Sequence, residues 1–206
     1  MKVRTDAKRD AILQIASEVF LEMGYERASM AEIAARVGGS KATLYGYFPS
    51  KQAIFLTLAR RFGAEHIDPA MQELISSPDD DVGKLLQRFG ERLLSFLASA
   101  PAMSALRLVL AESGHSDVGE MFYEAGQKQG VQTMAGYLQS LMDRGLLRPA
   151  NALVAAQHFG ALVNAEAQYR WYYRDDADLT PKQIKAMVTR AVEVFLRAYG
   201  SDRKDL

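Results

Sequence analysis

Residues 29–51 read SMAEIAARVGGSKATLYGYFPSK. Met30, Ile33, Ala34 and Val37 fall at helical spacing, which gives a short helix one apolar face. Gly38-Gly39 interrupts it, because glycine tolerates the backbone angles of a sharp turn. Ser40 is a good N-cap for a second short helix over Lys41 to Tyr47, with Leu44 directed inward. Two short helices joined by a glycine-containing turn of three or four residues form a helix-turn-helix, whose second helix enters the DNA major groove.

On the N-terminal side, Ile12, Ile15, Ala16, Val19, Phe20 and Met23 make the apolar stripe of a first helix, which Gly24 stops. On the C-terminal side, Ser50 caps a fourth helix with Ile54, Phe55, Leu58 and Phe62 on its inner face. This helix is expected to run on toward Ile75, with a bend near Gly63 or Pro69, into the polar loop Ser76-Ser77-Pro78-Asp79-Asp80-Asp81. A fifth helix carries Leu85, Leu86, Phe89, Leu93, Phe96 and Leu97 at core spacing, and Pro101 begins a short sixth ending near Gly114. Asp117 is read as the cap of a long seventh helix, apolar from Met121 to Leu141 and ended by Gly145. Pro149 is placed in the first turn of an eighth, through Ala156, Phe159, Val163 and Ala167. Thr180-Pro181 starts a ninth with Ile184, Met187, Val188, Ala191 and Phe195 in register, and the tail SDRKDL is expected to fray. No run alternates like a strand. The expectation is an all-α protein of about nine helices: a helix-turn-helix domain over residues 1–50 and a larger helical bundle over residues 51–206.

Composition agrees. Of 206 residues, 49% are hydrophobic and 24% charged, as in ordinary globular proteins. The absence of cysteine excludes disulfides, thiolate metal ligation and thiol catalysis. The opening MKVRTDAKRD has charges but no apolar segment behind them, unlike a signal peptide. The longest uncharged runs, at 93–106 and 149–165, are too short and too polar to span a bilayer, and a cytoplasmic location is expected. The net charge of zero conceals ten Lys/Arg against seven Asp/Glu in residues 1–65 and fifteen against eighteen in residues 66–206. That bias toward a basic head is modest and points toward DNA.

The segments AILQIASEVFLEMGYERASM, IAARVGGSKATLYGYFPSK and QAIFLTL together resemble the DNA-binding domain of the TetR/AcrR transcriptional regulators. The runs LRLVLAESGHSDVGEMFYEAG, MDRGLLRP and AAQHF are similar, more weakly, to the AefR-like subgroup. Gly39 and Gly46 depart from the family pattern, which usually has an apolar turn residue and a larger DNA-contacting side chain there.

Ser29 and Ser40 stand at helix N-termini, where free amides and partial positive charge suit a phosphate. Lys41 in a first helical turn opposes the helix dipole, and a nearby phosphate or guanine edge accounts for it better than solvation. Ala42 and Thr43 are small enough to reach a base or a thymine methyl. Tyr45 and Tyr47 suit phosphate, sugar or base edges, the alternative being packing against the first helix. Lys51 resembles the family's phosphate-contacting lysine. Arg4, Lys8 and Arg9 form either an arm over the DNA or a solvated charged end.

One head is a small interface, so a homodimer on operator DNA is expected. The resemblance implies that the eighth and ninth helices form it; their small and apolar positions Ala155, Ala156, Gly160, Ala191 and Phe195 would allow close helix packing, though such a stripe reads equally as internal core. It also implies an inducer pocket for a small apolar or amphipathic molecule. The candidates are Phe62, His66, Phe89, Met103, Arg107, Phe122, Met134 and Phe159, with Glu112, His115 and His158 as further polar anchors. Each apolar member also reads as ordinary core. The aromatic run Tyr169-Arg170-Trp171-Tyr172-Tyr173-Arg174 points in several directions at once, which suits mixed dimer, core and surface roles rather than a stacking platform. No metal-ligand spacing, phosphate loop or nucleophile elbow is present, so neither catalysis nor a cofactor is implied. The reading is a ligand-responsive repressor. The rivals are a DNA-binding regulator without a small-molecule inducer and a helical ligand-binding module with a vestigial head.

Overall fold

The structure is a computed structural model that describes residues 5–77, 81–114, 117–173 and 178–201. The described elements are α1 (Asp6–Met23), α2 (Met30–Val37), α3 (Lys41–Tyr47), α4 (Lys51–Ser76), α5 (Val82–Leu97), α6 (Ala100–Glu112), α7 (Val118–Phe122), α8 (Lys128–Asp143), α9 (Ala152–Ala165) and α10 (Pro181–Tyr199). A π-helical turn, Tyr123–Gln127, joins α7 to α8, and a 3-10 turn, Gln168–Trp171, follows α9. Among the described residues no strand forms beyond an isolated bridge between Leu147 and Gly200. The protein is all-α, as its periodicity implies.

The expected long seventh helix is therefore α7, the π turn and α8, and the expected eighth and ninth helices are α9 and α10. Two boundaries differ. Asp117 makes no side-chain cap to α7. Pro149 lies outside α9, which begins at Ala152 because the Asn151 side chain accepts the Val154 N–H. Arg4, His115, Arg174, the Pro78–Asp80 part of the acidic loop and most of the C-terminal tail lie outside the described residues.

Three apolar clusters organise the chain. Ile12, Ala16, Val19, Ile33, Leu44 and Phe48 form the head core, which also takes Ile54 from the first turn of α4. That core thus extends past residue 50. The body core gathers Leu86, Leu94, Leu138, Phe159, Val188 and Phe195 from α5, α8, α9 and α10. Gly90 sits where α5 meets α10, and a Cβ there would stand 2.7 Å from Val188 Cγ1. The third cluster, around Phe55, Leu56, Val109 and Val118, lies at the joint and receives Phe20 and Tyr25 from the head and Phe122 from the body. Phe20, Tyr25 and Phe55 form a ring triangle with centroids 5.4 to 6.4 Å apart. Apolar burial therefore couples the two expected units directly, in addition to α4, which runs between them.

Candidate nucleic-acid interface

The helix-turn-helix is built by its caps. Ser29 Oγ accepts the Glu32 N–H at 3.1 Å and starts α2. Gly38 adopts φ 70°, ψ 35°, and the N–H groups of Gly38 and Gly39 return to the last carbonyls of α2. A side chain at Gly38 would be strained in that left-handed conformation. Gly39 has no positive φ, and an added Cβ would meet nothing within 4 Å, so its departure from the family pattern is sterically open. Ser40 Oγ accepts the Thr43 N–H at 3.1 Å and lies 3.0 Å from Thr43 Oγ1.

Capping and packing set which face of α3 is outward. Leu44 and Phe48 are buried in the head core, whereas Lys41, Ala42, Thr43 and Tyr45 are exposed. Lys41 and Tyr45, four residues apart, share one face. Tyr47 is half-buried against the core, and its hydroxyl accepts the Thr5 N–H at 3.1 Å. Its ring packs on the head core and its hydroxyl ties α3 to the start of α1.

Lys51 has a role that spacing did not reveal. Its ammonium donates to Tyr25 O at 2.7 Å and to Glu26 O at 3.5 Å, and it lies 4.0 Å over the Tyr25 ring. It staples the first turn of α4 to the α1–α2 connection. Burial first, then the carboxylates of Glu112 and Glu26, push the Tyr25 phenol up to about 12, so it stays neutral beneath that cation. Lys8 and Arg9 form neither an arm nor a loose end, because they lie within α1. Lys8 Nζ donates to Val37 O at 3.3 Å, and the Arg9 guanidinium covers the Phe48 ring at 5.2 Å. Arg36 bonds to Glu22 at 2.6 Å and to Glu32 at 2.8 Å, joining α2 to α1.

The candidate pocket residues disperse through the fold. Phe62, His66 and Phe96 form a cluster of tilted rings, and His66 Nδ1 pairs with Phe62 O at 2.8 Å. Phe89, Met134 and Phe159 fill the body core, Met103 is buried on α6, and Phe122 belongs to the joint. Arg107 donates to the carbonyls of Arg170, Trp171 and Tyr173, so it closes the turn after α9. Arg170 is 3% exposed and donates to Ala98 O at 3.2 Å, a buried cation in a run that sequence alone leaves undivided. His158 Nδ1 meets the Tyr199 hydroxyl at 2.6 Å between α9 and α10.

A cavity of about 360 Å³ lies elsewhere, among the end of α4, the start of α5 and α8, and none of those eight residues lines it. Among the described residues, no group of three or more His, Asp or Glu is placed to hold a metal ion. Among the same residues, no single helix is long and apolar enough to cross a membrane. The bent pair α5 and α6 passes such a test only jointly, and α5 is a core helix.

Comparison with known proteins agrees with this architecture at both ends of the chain. Residues 12–58 match the bacterial regulatory proteins of the tetR family, and residues 84–201 match the C-terminal domain of AefR-like transcriptional repressors. The transcriptional activator FasR of Mycolicibacterium smegmatis is 39% identical over 75 residues, which is 36% of this chain and 34% of FasR. A TetR-family regulator from Mesorhizobium loti superposes with a TM-score of 0.83 at 25% identity, over 97% of this chain and 100% of that one. The flavonoid-responsive regulator FrrA superposes with a TM-score of 0.74 at 26% identity, over 96% of this chain and 100% of FrrA. With a capped helix-turn-helix at one end and an AefR-like bundle at the other, the chain belongs to the TetR/AcrR family of DNA-binding transcriptional regulators.

Proposed function

We propose that this chain is a homodimeric, ligand-responsive regulator that releases operator DNA when a small apolar or amphipathic molecule occupies its body. The observation that carries the DNA reading is the outward face of α3. There Lys41, Ala42, Thr43 and Tyr45 project from a helix held rigid by Leu44, Phe48 and the Ser40 cap. Lys41 takes a phosphate or guanine edge, Thr43 and Ala42 read bases, and Tyr45 contacts backbone and base edge. Ser29 and Ser40 anchor phosphates at the two helix starts. Tyr47 and Lys51 act at the rim, Lys51 through whatever donor capacity its two carbonyl bonds leave.

Dimerisation through α9 and α10 is supported by the apolar side chains these helices leave exposed, Leu153, Val154 and Val194, whereas Ala155, Ala156, Ala191 and Phe195 are buried in the body core. Release follows if the ligand favours a head spacing that DNA does not, and by linkage DNA then weakens ligand binding equally. FrrA is named for its response to a flavonoid, which supports a ligand-responsive body here. The AefR-like match points to repression, whereas FasR is an activator, so the sign of regulation is itself part of the test.

The test is anisotropy on duplex DNA from the chain's own upstream region, across a salt series with non-specific competitor. The reading expects competitor-resistant binding by a dimer, with affinity falling steeply as salt rises. Binding abolished by competitor on every fragment from a genome-wide selection would refute it.

A further inference from the structure

We infer that the corner between α6 and α7 holds the head in place, and that Val109, Val118 and Phe122 are thereby positioning residues for the half-site spacing read on DNA. This inference rests on the proposed homodimer on operator DNA, whose half-sites must match the separation of its two heads. The alternative is that α4, the covalent link from head to body, sets that separation by itself.

The middle of α4 is weakly held. Its buried side chains are Ile54, Phe55 and Leu56 near the head and Ala70, Met71 and Leu74 in the body. No side chain between Leu56 and Ala70 is buried, a stretch of about 21 Å along the axis. Phe62 and Ile67 touch the body there but are only partly covered. Arg61 pairs with Asp10 and Glu65, but all three side chains are more than half exposed, and such pairs contribute little. Pro69 removes a backbone hydrogen bond at the body end of the stretch, and helices bend most readily at proline. A tilt of about 10° over about 21 Å displaces the head by about 4 Å, close to the rise of one base pair, about 3.4 Å. α4 alone therefore leaves the spacing undetermined by a base pair or so.

The joint supplies a second attachment, off the α4 axis. Val118 is 2% exposed although it opens a five-residue helix, because it packs with Val109 against Phe55 and Leu56. Phe122 joins them from the other end of α7. On the head side, Phe20 belongs both to the head core and to this cluster, and Tyr25 lies beneath the Lys51 ammonium. What the corner grips is thus part of the packed head. The corner is itself tightly closed: the Ser113 hydroxyl donates to Val109 O, and a Cβ on Gly119 would stand 2.5 Å from Ser113 Oγ. Arg107 then ties α6 to the turn after α9, one of the two helices proposed for the dimer. Close-packed contacts of this kind resist the tilt that α4 permits.

The experiment pairs two readouts on the full-length protein. The first is anisotropy on duplexes carrying two copies of a selected half-site, at the selected spacing and at one base pair more or less. The second is dipolar spectroscopy of the head-to-head distance in the dimer. The chain has no cysteine, so Glu18→Cys on the exposed face of α1 carries a single spin label. The labelled but otherwise unaltered protein should show one narrow distance distribution and prefer the selected spacing about tenfold, the size of one mismatched base pair. Val118→Ala and Phe122→Ala should broaden the distribution and erase most of that preference, while the half-site consensus stays the same. Phe122 is only partly covered, so Phe122→Ala should fold even if Val118→Ala does not. Val82→Ala, a similar truncation in the body core, is the control and should do neither. Unchanged distances in both joint variants, equal broadening in Val82→Ala, or a spacing preference that survives broadened distances would overturn the inference. A monomeric protein with no dipolar distance overturns it as well. Joint-dependent distances in a dimer that binds no duplex ahead of competitor uphold the positioning role and refute the operator reading.

Discussion

Lys51→Met removes an ammonium while keeping most of the aliphatic stem, and the structure makes its consequences calculable. The ammonium makes one short bond to Tyr25 O at 2.7 Å, a long one to Glu26 O at 3.5 Å, and covers the Tyr25 ring at 4.0 Å. A hydrogen bond from a charged group contributes about 1.5–3 kcal/mol, and a partly exposed cation–π contact about 0.5–1 kcal/mol. Lys51 is half-buried, so solvent recovers part of this, and a net loss of about 1–2 kcal/mol is expected. For a chain of this size each kcal/mol lowers Tm by about 2–4 °C. Thermal denaturation of Lys51→Met should therefore show a fall of a few degrees, and a salt series on duplex DNA should show weaker binding on every sequence. Lys41→Gln is the control, an exposed lysine on α3 whose loss should lower the slope of log affinity against log salt by about 0.9 per phosphate contact and leave Tm unchanged. If Lys51→Met melts like wild type and alters the salt slope as Lys41→Gln does, the stapling role is refuted and Lys51 is a phosphate contact alone.

Gly90→Ala should destabilise the body by about 1–3 kcal/mol despite its better helix propensity, read by denaturant unfolding, because its Cβ would stand 2.7 Å from Val188 Cγ1. Arg107→Met should free three carbonyls of the turn after α9 and change the emission of Trp171, the single tryptophan, before global unfolding begins. Glu166 is held below its ordinary 4.5, first by hydrogen bonding to Arg190 on α10, so its contribution is present above 4.5 and lost as pH falls through the lower folded value. Glu166→Gln should accordingly cost less than about 1 kcal/mol at neutral pH, a difference that disappears in acid melts. Thr43→Ala and Tyr45→Phe should change the order of preference among duplexes in a binding selection while leaving Tm within error, since both residues lie on the outward face of α3.

Local chemistry made much of this protein legible from its residues. The caps at Ser29, Ser40, Ser50 and Thr180, the stop at Gly24 and the turn at Gly38 act over three or four residues, and each stands where the sequence placed it. The inward faces of α1, α3 and α10 follow the same way, because a 3.6-residue period is a local property that burial then uses, whereas α5 buries Leu94 fully and leaves the expected Leu93, Phe96 and Leu97 only partly covered. What the sequence left open depends on neighbours that are distant in the chain. Lys51 reaches across twenty-six residues to Tyr25 O, and Arg107 reaches more than sixty residues to the turn at 170–173. No periodicity encodes such contacts. The aromatic residues expected around one pocket are equally good core, and packing sends Phe89 and Phe159 to the body core and Phe122 to the joint. The cavity instead forms where α4, α5 and α8 fail to fill the space between them, beside a tyrosine no motif distinguishes. Sequence alone determined most of the helices, most of their caps and the helix-turn-helix of the head, because those follow from short-range backbone chemistry, though the Asp117 cap and the Pro149 first turn did not form as spacing implied. Only the tertiary structure decided which cations are tied down and where empty space remains, because both depend on surfaces brought together by folding.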